Sequence, residues 1–138
     1  MRARNPAAST PKVNRPLSPH LQIYRLPLTA LLSISHRITG LFLCGGLLLL
    51  TLLLTLAAIG PEVYESARLW LASLPGQVLL WGFIYALVFH ACHGVRHLIW
   101  DSGRGFARNA QFTFNLIEVM ASVLLTGLLF VFNAAGAV

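Results

Sequence analysis

Three long apolar stretches constrain this chain more than any other feature. Residues 29–59 are apolar except for Ser, Thr and a His36–Arg37 pair, and residues 77–100 and 112–132 form the other two stretches. A hydrocarbon core of about 30 Å is crossed by roughly 20 helical residues. Backbone polar groups in lipid must be satisfied within the segment itself, which a helix achieves. The sequence therefore predicts an all-α membrane protein with three transmembrane helices at about 29–59, 77–100 and 112–132.

Charge sets the expected orientation. Only 10% of the residues are charged, against about a quarter in soluble domains. Basic residues collect before the first stretch and in the link 101–111, which places the N-terminus and this link inside and the C-terminus outside. A basic face interleaved with aromatics, as nucleic-acid binding requires, is absent from the sequence. Residues 1–28 are therefore expected to form an inner-surface segment, and residues 29–138 a three-helix anchor.

The N-terminal segment bears on the expected location. Residues 1–28 contain no apolar core of a cleavable signal peptide, and they are short for an organelle-targeting sequence. We therefore expect the inner (cytoplasmic) membrane of a bacterium rather than that of a mitochondrion.

A histidine-rich cluster ends the second apolar stretch. His90, His93 and His97 fall on one helix face, with Gly94 one turn from His90. Intramembrane ionisable residues usually face a bundle interior, a cofactor or a pathway. A histidine beside a position without a side chain suits a flat macrocycle whose iron it ligates, as in haem proteins. Three alternatives remain open: hydrogen-bonded core histidines, half of a zinc site for which no third ligand is expected nearby, and a proton relay.

Depth in the membrane separates the expected roles. At about 1.5 Å per residue, His90 lies about 15 Å from the inner boundary, near the midplane, whereas His36 and Arg37 lie about 8–9 Å deep. His36 is therefore not expected to ligate the same iron, but this pair can meet the carboxylates of a haem bound at His90. Ser33 lies one turn from Arg37 on the same face. A hydroxyl beside a guanidinium suits a quinone head group, although a serine bonded to its own helix is the alternative.

Two motifs identify a resemblance. The pattern S-x-x-H-R-x-[ST]-G is met by residues 33–40, and H-x-x-x-G-x-R-H-x-x-x-D by residues 90–101. With "RPLSPHLQIY" before them, they resemble in order and spacing the cytochrome b556 anchor subunits of succinate dehydrogenase, respiratory complex II. The resemblance covers roughly residues 15–101, and the third helix fits the family in position and length. His93 departs from the family, which often has an apolar residue or asparagine there.

The resemblance implies specific site residues. In the family, one haem b sits between two anchor subunits with one axial histidine from each, which maps to His90. The motif serine and arginine line the ubiquinone pocket, which maps to Ser33 and Arg37. The haem propionates are approached by the motif histidine and nearby basic residues, which map to His36, Arg37 and His97.

The resemblance also implies a function and partners. The anchor packs with a second small anchor subunit and docks an iron-sulfur subunit and a flavoprotein. It thereby carries electrons from succinate, in the tricarboxylic acid cycle, to ubiquinone in the respiratory chain. The chain has no nucleotide-binding glycine motif or cysteine cluster, so it is expected to be a subunit of the enzyme without dehydrogenase chemistry of its own. Two alternatives are a fumarate reductase anchor and, in another class, a small histidine-lined proton-conducting or transporter subunit.

Overall fold

The computed structural model describes residues 25–136, and these form four helices. They are α1 (Leu28–Ile59), α2 (Pro61–Ala72), α3 (Leu74–Asp101) and α4 (Arg108–Ala134). Three of them, α1, α3 and α4, are long and apolar enough to cross a membrane. The predicted all-α fold with three spans is confirmed. Residues 1–24 of the predicted inner-surface segment lie outside the described residues, and the orientation of the termini stays a prediction.

Proline and glycine set the boundary between the first two helices. Gly60 has φ 156° and ψ 161°, a backbone conformation that is essentially restricted to glycine. Pro61 follows at the first position of α2, where its missing N–H costs no helical hydrogen bond. The chain thus leaves α1 and starts a new helix within one residue.

Helix α2 is missing from the sequence interpretation, which treats residues 60–76 as a link. Its 12 residues are too short and too polar to give a membrane-span signal. On its exposed face, Arg68 donates two hydrogen bonds to Glu65, at 2.6 and 2.7 Å, and so lowers the pKa of that carboxyl. An exposed pair of this kind contributes little to stability. The helix therefore serves mainly to connect the end of α1 to the start of α3.

The long helices pack through aromatic side chains against small residues. On α1, Gly46 leaves room for Phe83 of α3, since a Cβ at this glycine would lie 2.7 Å from the Phe83 ring. Phe83 stacks in turn on Phe42 with ring centroids 4.2 Å apart. Between α3 and α4, Trp81 meets Phe130 edge-on at 5.0 Å. Close approach at small residues is how helices associate in lipid, where burial from water supplies no driving force.

The described part of the chain is polar inside and apolar outside. Many large apolar side chains on α1, α3 and α4 are exposed. The buried polar residues outnumber the buried apolar ones. The polar set is His93, Arg96, Asn115, Glu118 and Ser122, and the apolar set is Leu32, Ala86 and Phe89. A helix bundle of this kind suits lipid or partner helices around it and polar contacts within it.

Candidate functional site

The imidazole of His36 connects α1 to the histidine face of α3. Its ring stacks on those of His90 and His93, with centroids 3.9 and 4.3 Å away, and lies 5.9 Å from that of His97. The predicted common face of the three α3 histidines agrees with this packing. The predicted difference in depth between His36 and His90 is wrong for their side chains, because the two rings are in direct contact. Rise per residue along separate helices ignores helix tilt and side-chain length.

His90 has the surroundings of an oriented ligand. Its Nδ1 lies 3.4 Å from the hydroxyl of Thr39, which donates its own proton to the carbonyl oxygen of His36. The hydroxyl can therefore accept from Nδ1–H, and this arrangement leaves Nε2 as the lone-pair nitrogen. Gly40 permits the contact, since a Cβ there would lie 3.0 Å from Cε1 of His90. A Cβ at Gly94 would meet nothing within 4 Å, so the space beside the next turn of α3 is open.

A buried ionic network joins α3 to α4. One oxygen of the Glu118 carboxylate lies 2.6 Å from Nδ1 of His93, and the other accepts a hydrogen bond from Arg96 at 3.0 Å. All three residues are at most 3% exposed. One carboxylate thus holds a histidine and an arginine that lie one turn apart on α3.

Beside this network, a partly open cavity of about 270 Å³ lies between the start of α1 and the end of α3. Arg96 stacks over the ring of Trp100, with Cζ 4.4 Å from the centroid, and so holds the indole at the wall of this cavity. Asn115 of α4 donates a hydrogen bond to Thr29, which is one of the lining residues. The lining residues are Pro27, Thr29, Ala30, Ser33, His93, His97 and Trp100.

The structure brings together most of the site residues expected from sequence. His36 and His90 are half-buried and in contact, and Ser33 and His97 line one cavity. Arg37 is exposed and is not among the cavity-lining residues.

A third nitrogen ligand is available, contrary to the sequence interpretation. The potential ligand atoms of His36, His93 and His97 all lie within 4.8 Å of one another. The expectation that no third ligand lies near the α3 histidines is therefore wrong, because α1 brings His36 from more than 50 residues away.

The role of Glu118 is the main feature that the sequence interpretation does not assign. A glutamate in an apolar helix needs a partner, and this signal was visible in the sequence. Its partners, His93 and Arg96, lie on a different helix, and the sequence carries no pairing rule across 22–25 residues.

Several known proteins are similar in sequence to this chain. Residues 11–130 match the family described as succinate dehydrogenase/fumarate reductase transmembrane subunit. The succinate dehydrogenase cytochrome b556 subunit of Paracoccus denitrificans is 47% identical over 92 residues, covering 67% of this chain and 71% of that protein. The subunit of the same name from Rickettsia typhi is 38% identical over 117 residues, covering 85% of this chain and 91% of that protein. The mitochondrial succinate dehydrogenase cytochrome b560 subunit of Mus musculus is 37% identical over 119 residues, covering 83% of this chain and 69% of that protein.

The match extends over most of the chain and includes α1, α3 and nearly all of α4. The relatives are named as cytochrome subunits of one enzyme complex, and this chain has their three apolar helices with histidines gathered between two of them. The chain belongs to the family of succinate dehydrogenase/fumarate reductase transmembrane subunits.

Proposed function

We propose that this chain is the larger membrane anchor of a succinate:quinone oxidoreductase, which binds haem b through His90 and forms part of a ubiquinone-reduction site. The observation that carries the proposal is the ring of histidines between α1 and α3, in a chain whose relatives are named cytochrome b556 and b560 subunits. Succinate oxidation itself takes place in other subunits.

The surroundings of His90 support its role as the axial ligand. Metal-ligating histidines almost always hydrogen-bond through their second ring nitrogen, and Thr39 offers such an acceptor to Nδ1. The open space at Gly94 suits a flat macrocycle lying close to α3. Haem b supplies one-electron redox chemistry when bound. His90 is the residue of this chain that would hold the haem iron, and a partner anchor would supply a second ligand.

The nitrogen donors near His90 support a binding site for the haem propionates at this edge of the histidine cluster. His36 stacks directly on His90, and its Nε2 is buried without a hydrogen-bond partner among the described residues. His97 and Arg37 are exposed at the same end of the bundle and complete the proposed set of propionate-facing residues. A buried carboxylate needs such donors, because an unpaired charge is costly in a low-dielectric interior.

Ser33 is the proposed hydroxyl of the quinone site. It lines the cavity between α1 and α3, and Arg37 follows one turn later on α1. A neutral head group with carbonyl oxygens suits a cavity walled by a hydroxyl, an imidazole and an indole.

The proposed partners follow from the same assignment. A second small anchor subunit, an iron-sulfur subunit and a flavoprotein would complete the enzyme, with this chain in the inner membrane of a bacterium. The exposed apolar faces of α1, α3 and α4 suit lipid and a partner anchor. A fumarate reductase anchor is the second candidate, since the matched family contains both enzymes.

A spectroscopic comparison tests the assignment. The purified complex should show a reducible low-spin b-type signal that co-purifies with flavin, and His90→Leu should abolish the low-spin signal or convert it to high spin. The matched variant His93→Leu should retain it, as measured by EPR. A low-spin signal that survives in His90→Leu but disappears in His93→Leu would show that the ligand is misassigned. A colourless preparation that conducts protons would favour the transporter class, and faster fumarate reduction than succinate oxidation would favour the second candidate.

A further inference from the structure

Two residues that line the same cavity as Ser33, His93 and Trp100, each carry a buried ring nitrogen without a partner among the described residues. Nε2 of His93 and Nε1 of Trp100 are both inaccessible to solvent and have no hydrogen-bond partner among the described residues. His93 is 1% exposed as a whole. Burying polar groups without partners is costly, and native structures rarely do so without a functional reason. When His93 is protonated, both ring nitrogens are donors, and together with the Ser33 hydroxyl they suit a ligand that presents a carbonyl oxygen.

Glu118 determines which nitrogen of His93 is available. Its carboxylate accepts from Nδ1–H at 2.6 Å, so Nδ1 is committed and Nε2 is the atom left for another partner. The same carboxylate accepts from Arg96, which stacks on Trp100. Glu118 therefore positions His93 directly and Trp100 through Arg96.

We propose that His93, oriented by Glu118, donates a proton to a carbonyl oxygen of the quinone bound in this cavity as the quinone is reduced. This inference rests on the proposed function, because it takes the quinone to be the occupant. His93 is then a catalytic residue of quinone reduction, and Glu118 is a positioning residue.

The protons and electrons balance as follows. Reduction of a quinone to a quinol takes two electrons and two protons, and the electrons come from succinate oxidation in the other subunits. As negative charge develops on the bound oxygen, the Nε2–H bond of the His93 imidazolium breaks and an O–H bond forms. His93 becomes a neutral imidazole that keeps its Nδ1–H bond to Glu118. The second proton, for the opposite oxygen, is delivered through water, and the two protons that succinate oxidation releases to solvent balance the two that the quinone takes up.

The charges around His93 favour proton transfer at the stage when the quinone oxygen becomes negative. The Glu118 carboxylate and the Arg96 guanidinium compensate each other, so a neutral His93 leaves the buried network without net charge. An imidazolium adds one positive charge, which is stabilised when a negative oxygen forms beside it. The groups that face His93 are His36 from α1, Glu118 from α4, and Arg96 and His97 from α3 itself. His97 is exposed and its ring centroid lies 4.8 Å away, which gives His93 a neighbour from which to regain its proton.

The experiment uses the purified, haem-containing complex with a short-chain ubiquinone as acceptor. We expect His93→Leu to lower kcat for quinone reduction by about 100-fold or more, the usual contribution of a general acid, and to raise KM much less. The alkaline limb of the kcat–pH profile should disappear in this variant. Glu118→Gln keeps an oxygen for Nδ1–H but loses the counter-charge, so its kcat should lie between those of wild type and His93→Leu, with the alkaline limb retained but displaced.

Two further measurements separate this inference from the proposed function. Measured per assembled complex, as bound flavin, succinate oxidation by a soluble dye and the low-spin haem signal should be unchanged in both variants. Thr126→Val is the matched control, because Thr126 is a polar residue of α4 whose buried hydroxyl borders a different cavity. If the wild-type complex contained no haem, or did not reduce quinone, the proposed function itself would be refuted.

Three outcomes would overturn the role of His93 and leave the proposed function standing. They are a kcat within a few-fold of wild type, a change confined to KM, and an unaltered pH profile. If His93→Leu also loses haem, the Glu118→Gln profile decides: a lower kcat with a displaced alkaline limb supports proton donation, and a profile identical to wild type overturns it.

Discussion

Replacing Glu118 with leucine should destabilise the bundle strongly, because it leaves Arg96 buried without its counter-charge. The carboxylate makes two charge-assisted contacts, at 2.6 and 3.0 Å, with side chains at most 3% exposed. At about 1.5–3 kcal/mol for each such hydrogen bond, the loss is about 3–6 kcal/mol. Removal of one partner of a buried ion pair independently gives about 3–5 kcal/mol. A neutral interhelical hydrogen bond in a membrane contributes about 0.6 kcal/mol, so most of the effect comes from the uncompensated charge.

A double-mutant cycle separates the charge from the packing. The cycle compares Glu118→Leu, Arg96→Leu and the double variant that carries both changes. The double variant removes both charges and leaves Nδ1 of His93 without an acceptor, a cost of about 1–3 kcal/mol. The double variant should therefore be more stable than Glu118→Leu alone. Midpoints of SDS-induced unfolding of the purified complex, followed by the loss of the haem band, measure the three variants. If the double variant is destabilised by the sum of the two single changes, the charges are not coupled and the reasoning is refuted.

Two other predictions follow from α1. Ser33→Ala or Arg37→Ala should impair ubiquinone reduction while succinate oxidation by a soluble dye continues; a parallel fall of both activities would indicate failed assembly instead. Gly46→Ala should destabilise the complex by about 1–3 kcal/mol in the same SDS assay, because its Cβ would lie 2.7 Å from the Phe83 ring. Gly45→Ala is the matched control, since a Cβ there meets nothing within 4 Å, and equal effects at both positions would contradict the packing argument.

The sequence predicts the long helices well because membrane thickness imposes their length and composition. The spans expected at 29–59, 77–100 and 112–132 lie within α1, α3 and α4. Helix α2 is missed because a short amphipathic helix between Pro61 and Ala72 resembles a polar link.

Contacts between helices are the part that the sequence does not specify. Periodicity places the α3 histidines on one face, but it carries no information about which α1 residue packs there. The contact of His36 with His90 depends on helix tilt, on Gly40 and on side-chain reach. The pairing of Glu118 with His93 likewise depends on the rotation of α4 about its axis. Such long-range relations require the assembled bundle.

Among the described residues, the polar side chains of the proposed site lie towards one end of the bundle. Ser33 and His36 lie near the start of α1, His93 and His97 near the end of α3, and Glu118 near the start of α4. Nearer the opposite end lies an apolar cavity of about 360 Å³, lined by leucines, Gly46, Phe83 and Ile84. Charge along the sequence predicts that the polar end faces the inner side. The proposed haem ligand, quinone cavity and proton donor would then all open towards the side on which we propose that the soluble subunits dock. Electrons and protons would thus reach the quinone from one side of the membrane, and the apolar half of the bundle would serve as the anchor and the barrier.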